Sequence, residues 1–185
     1  MRKNMKYFIL TLILCAAIVQ AQNFTVGEVR GEVSVNGKIA AKTGSTLNGK
    51  KILNIKTEKN SRFSIMSADG DITVTIAPES SVKISGSSIK ILQGSLLVSC
   101  YSDTASVTVH TVSGKQHTVK DAEVLFSCRG KKECAAVLDG TVTGISPNAA
   151  VAKEIQKEFE LKQTQKQEKK RNAPLFDQDS ARPGA

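Results

Sequence analysis

Arg62-Phe63-Ser64-Ile65-Met66-Ser67-Ala68-Asp69-Gly70-Asp71-Ile72-Thr73-Val74-Thr75-Ile76 is the stretch that decides the fold. Phe63 and Ile65, then Ile72, Val74 and Ile76, recur at every second position with Ser or Thr between them. That period sends apolar side chains to one face of an extended strand and polar ones to the other. Asp69-Gly70 supplies residues that accept a positive φ, so the chain is expected to turn back on itself there.

The same alternation spreads outward in both directions. Val29, Gly31, Val33 and Val35 precede the hairpin, and turn signals recur at Asn36-Gly37, Ser85-Gly86, Gln93-Gly94, Ser113-Gly114 and Asp139-Gly140. Roughly a dozen short strands at this spacing predict a single all-β domain over residues 22–147. A sandwich, a barrel or a rolled sheet resembling a short β-helix would each satisfy the pattern. The strands are rich in Val, Ile and Thr, whose branched side chains suit a pleated surface.

Both ends differ from this middle. Arg2, Lys3 and Lys6 lead into an apolar run from Tyr7 to Val19, followed by Gln20-Ala21. The run is roughly 13 residues, against the ~20 of a membrane-spanning helix, and matches a secretory signal peptide over residues 1–21. Cleavage after Ala21 would make Gln22 the new terminus, remove Cys15, and lower the formal charge from +9 to about +6. Leu14 before Cys15 does not fit a lipoprotein cut, so the expected product is exported, periplasmic or extracellular, with no stable membrane span.

After Ser146-Pro147-Asn148 the composition shifts to Ala, Lys, Glu and Gln. Val151, Ile155 and Phe159 fall four residues apart, which predicts a charged helix over 148–168 with a narrow apolar face. That face is a candidate for docking a partner helix. Residues 169–185 carry too few apolar side chains to fold alone and are expected to be a disordered tail.

Charge and chemistry exclude more than they assign. The basic residues are scattered and Trp is absent, which argues against nucleic acid, whose bases stack on aromatic platforms. No phosphate loop, Cys-x-x-Cys, His-Glu-x-x-His or Gly-x-Ser-x-Gly sequence occurs, so no enzyme activity and no cofactor are expected. Asp69, Asp71 and Glu79 sit among turn residues and read as caps. Asn23-Phe24-Thr25 is a glycosylation triplet only in a eukaryotic secretory pathway.

Two constellations remain. A two-residue turn at Ser113-Gly114 would set His110 opposite His117, and Asp103 or Cys100 would supply a third metal ligand. The alternative is a pair of solvent-facing strand residues. Cys128 and Cys134 flank Arg129-Gly130-Lys131-Lys132-Glu133, and a tight hairpin there would bring them to disulfide distance. Alternatively each cysteine is a small buried apolar residue.

The order of turns and strands resembles the FecR-type domain, the periplasmic part of the ferric-citrate family of signal regulators. The resemblance runs from about Val26 to Ile145 through Gly31-Glu32-Val33-Ser34-Val35-Asn36-Gly37, Gly44, Leu47, Gly49, Ile52, Asp69 and Gly70. Its most characteristic element is Ile91-Leu92-Gln93-Gly94-Ser95-Leu96-Leu97-Val98. Where the family usually has an Arg-Gly-Thr-like turn before a strand, this chain has Lys120-Asp121-Ala122-Glu123. The resemblance implies a stand-alone β domain without the cytoplasmic sigma-regulator segment. Three functions follow as expectations: a non-enzymatic binding or scaffold module in the cell envelope, facing a protein or a glycan; a partner-dependent component of transmembrane signalling; or a metal-binding protein using His110 and His117.

Overall fold

The computed structural model describes residues 23–39 and 42–160, and over these the chain is thirteen strands and one helix. In chain order the strands are β1 (Phe24–Arg30), β2 (Val33–Val35), β3 (Lys38–Ile39), β4 (Thr46–Leu47), β5 (Leu53–Thr57), β6 (Arg62–Ser67) and β7 (Ile72–Ile76). Then come β8 (Ser81–Ser85), β9 (Ser88–Cys100), β10 (Val107–His110), β11 (Gln116–Val119), β12 (Ala122–Arg129), β13 (Lys132–Gly140) and the helix α1 (Ala149–Phe159). The signal segment, the helix beyond Glu160 and the tail lie outside the described residues.

All thirteen strands belong to one curled sheet that folds over at β9. The first half of β9 pairs with β8 and with β10, and its second half pairs with β7 and β12. One layer therefore reads β4-β1-β6-β7-β9-β12-β13 and the other β3-β2-β5-β8-β9-β10-β11. Their inner faces meet in one core that holds Phe63, Ile65, Val74, Leu96 and Phe126 from the first layer and Ile55, Val82, Ile84, Ile89 and Val109 from the second. The alternation read from the sequence is the alternation seen: Ile72, Val74 and Ile76 are buried, and Thr73 and Thr75 between them are not.

Buried hydroxyls tie the corners where the chain changes layer. Glu32 donates its N–H to Ser61 Oγ at 2.8 Å, and Thr57 donates its hydroxyl to the Ala77 carbonyl at 2.6 Å. Ser80 donates N–H to Thr57 Oγ1, and Ser95 donates N–H to Ser80 Oγ, each at 3.0 Å. Corner backbone that cannot join a ladder still needs partners once water is excluded, and these side chains provide them.

The turn signals are met in part. Asn36 (φ 53°) and Gly37 (φ 74°) form the two-residue turn between β2 and β3, with both residues left-handed as such turns require. Gln93-Gly94, expected as a turn, instead lies inside the thirteen-residue β9. Gly94 takes φ 88° beside a shift in register against β8, so the strand bends into the other layer without reversing. Asp139-Gly140 likewise belongs to β13, opposite Glu123 and Ala122.

The helix expected from Val151, Ile155 and Phe159 begins at Ala149. The Asn148 side chain caps it by accepting the N–H groups of Ala150 and Val151. Its apolar face is not free for a separate partner. Ile155 and Ala152 are buried against Leu125 and Ala136 of β12 and β13, with Val151 and Phe159 packed around them. Arg129–Glu158 and Lys132–Glu154, each at 2.8 Å, hold its flank, and Arg62 donates to the Phe159 carbonyl at its C-terminal end. Among the described residues no helix is long and apolar enough to cross a membrane.

Candidate functional site

β11 and β13 are the last strands of their layers, and each pairs on one side only among the described residues. Between them opens a cleft of about 430 Å³, closed at one end by the loop through Gly144 and Ser146 and by the start of α1. Lys115 and His117 reach it from the β10–β11 hairpin, Glu133 and Cys134 from β13.

The hairpin loop explains why the two histidines do not meet. Gly114 donates N–H to the Thr111 carbonyl, Thr111 donates N–H to the Lys115 carbonyl, and Gly114 is left-handed (φ 86°). This is a three-residue loop, one longer than the two-residue turn expected at Ser113-Gly114. His110 consequently pairs with Gln116, and His117 pairs with Val109. A shift of one residue moves a side chain to the other face, so His110 points outward and His117 inward towards Phe126, 5.7 Å away between ring centroids. No group of three or more His, Cys, Asp or Glu is gathered as a metal site among the described residues, and neither Asp103 nor Cys100 completes one.

The same arithmetic separates the cysteines. Arg129 pairs with Lys132 across Gly130-Lys131, which sets Cys128 opposite Glu133 and Cys134 opposite Ser127. Cys128 therefore faces the core and Cys134 faces α1, and Cys100, Cys128 and Cys134 are all free thiols. Burial raises the pKa of Cys100 and Cys128 above the ordinary thiol value.

Glu133 holds the cleft together. Ser113 donates both its N–H and its hydroxyl to the carboxylate, and Thr111 donates its hydroxyl at 3.1 Å. The Ser113 hydroxyl is the main cause of a Glu133 pKa below the ordinary carboxylate value. His117 is shifted the other way for a base: burial first, then Lys115, lowers its pKa and favours the neutral ring. The cleft thus offers one exposed ammonium, a neutral imidazole and a carboxylate already satisfied by its own fold.

Of the carboxylates read as caps, Asp69 is seen to cap its turn. Asp69 accepts from Ser67 and from the Asp71 N–H, and the Ser67 hydroxyl lowers its pKa. Glu79 is a left-handed corner residue (φ 54°). Asp121, in the turn before β12, is also left-handed (φ 44°), a conformation that aspartate adopts more readily than most residues. Sequence reasoning missed Glu133 and Lys115, since their roles depend on two hairpins meeting across the fold. Comparison with protein-family models, curated proteins and solved structures found no match.

Proposed function

We propose that this protein is an exported, non-enzymatic binding or scaffold module of the cell envelope, with the cleft between β11 and β13 as its recognition site. One observation carries the reading: two strand edges with unpaired sides border a preformed cleft at the end of a rigid sheet. Extended polypeptide adds to such edges through backbone hydrogen bonds, and preformed clefts suit small chains of other chemistry as well. The partner is an envelope protein segment or a glycan. The signal-like start and the FecR-type order of turns support export and the envelope setting. A signalling role in which Val151, Ile155 and Phe159 recruit a regulator is not favoured, because those residues already cover β12 and β13.

The test is affinity capture from envelope extract with the full chain, comparing wild type with Ser146→Trp, which places an indole at the exposed rim of the cleft. Wild type is expected to retain a defined protein or glycan that the variant loses. Retention of the same species by both would remove the cleft from the reading, and catalytic turnover by the purified protein would overturn the non-enzymatic assignment.

A further inference from the structure

We propose that the open outer face of the β3–β11 layer binds a linear acidic polysaccharide, with Lys83 and Lys90 as its central cationic pair. Val82, Ile84, Ile89 and Ile91 point into the core, so Lys83 and Lys90 between them point out, and both are exposed. Ser85 pairs with Ser88 across Gly86-Ser87, which sets Lys83 directly opposite Lys90. The row continues sideways through Asn54 next to Lys83, and through His110 and Gln116 beyond Lys90. Five adjacent strands at the usual spacing make this row about 19 Å long.

The row has no internal counter-charge. None of the outward-facing residues on the strands of this layer is acidic. Neither Lys83 nor Lys90 belongs to an ion pair among the described residues, and the nearby Glu58 is engaged by Lys56 at 2.7 Å. Like charges directly opposite one another destabilise a strand pair. The fold tolerates that cost here, and a polyanion lying along the row would supply the missing charge.

Three features select the polymer. Amide and hydroxyl side chains accompany the ammonium groups at strand spacing, with Ser88 and Thr108 in the neighbouring row, which suits the mixed hydroxyl and carboxylate edge of an acidic sugar chain. No Phe, Tyr or Trp faces outward from the strands of this layer, and the single imidazole of His110 is no platform for successive bases. The exposed Ile39 lies at the far edge of the layer on β3, and Leu92, two residues beyond Lys90 on β9, is a single apolar side chain next to the pair and not a patch that would suit a bilayer. The helix covers the outer face of the other layer at β12 and β13. This face is distinct from the cleft and does not depend on it.

The test is the affinity of the full chain for polygalacturonate. Lys83→Gln with Lys90→Gln should weaken binding about tenfold or more, whereas Lys50→Gln with Lys51→Gln, which removes equal charge elsewhere, should change it less than about threefold. Lys83→Arg with Lys90→Arg should retain affinity, and this pair decides the matter if the glutamine variant fails to fold. The proposal is overturned by equal losses in the two glutamine pairs, by equal affinity for neutral dextran, or by no measurable binding. Tighter binding to single-stranded DNA or to phosphatidylglycerol vesicles than to polygalacturonate would overturn it too. Ser146→Trp should leave the affinity unchanged, which separates this proposal from the cleft.

Discussion

Gly94 sits where β9 leaves one layer for the other. A Cβ built there would lie 2.1 Å from Ser80 Oγ and 2.6 Å from Ser80 Cα, on a backbone already at φ +88°. Ser80 cannot yield, because its hydroxyl receives the Ser95 N–H at the same corner. Gly94→Ala is therefore expected to cost about 3 kcal/mol or more in urea unfolding. Gly114 shares the left-handed backbone but has open space around it, and Gly114→Ala should cost only about 1 kcal/mol. His117 gives a second outcome at this scale. Its pKa is lowered in the folded state, so below the ordinary value of about 6.5 the unfolded chain takes up the proton more readily and stability falls with pH. His117→Gln should flatten the melting temperature between about pH 7.5 and 5.5. The thiols give a third: native alkylation should reach the half-buried Cys134 before Cys100 and Cys128, which are buried and whose raised pKa values keep them as thiols. Discovery of a Cys128–Cys134 disulfide in a non-reducing peptide map would contradict the register.

Among the elements, α1 is the one whose attachment is separable. Its contacts are the Ile155 cluster on β12 and β13, two ion pairs along its flank, and the Glu158 carboxylate shared by the Ser95 and Ser127 hydroxyls. Ile155→Ala is expected to weaken docking by about 2 kcal/mol or more. Amide exchange should then quicken across α1 while β6 and β7 keep their protection, since the main core contains no helix residue. Equal loss of protection in both would make α1 integral to the β fold. Strands such as β5 to β8 were legible because their burial alternates with the sequence at every second residue. The pairings that needed a loop length were not. A single residue more at Val112-Ser113-Gly114 put His110 and His117 on opposite faces, and composition carries no mark of that residue. The lysine pair was hidden in the same way: a two-residue turn at Ser85-Gly86 would set Lys83 opposite Ser88, and the turn one residue later at Gly86-Ser87 sets it opposite Lys90.

At the scale of the molecule, the all-β class and the terminal helix could be read from periodicity, whereas the order of strands could not. Thr57, Ser61, Ser80 and Ser95 look like ordinary turn and strand residues, yet their hydroxyls decide where the chain crosses between layers. Those crossings are long-range and leave no local signature. One consequence concerns cutting the protein in two. Among the described residues β9 is the only strand that serves both layers, so a split-protein reporter opened inside it would hand each fragment half of a strand and an unfinished core. A cut at the exposed loop Val112-Ser113-Gly114 leaves β9 whole within the first fragment. Fragments separated there should reassemble on mixing, read as recovered fluorescence of fused reporter halves, and fragments separated at Gln93 should not. Reassembly from the Gln93 cut would mean that the two layers fold as independent units and that the shared strand is a junction made after the fact.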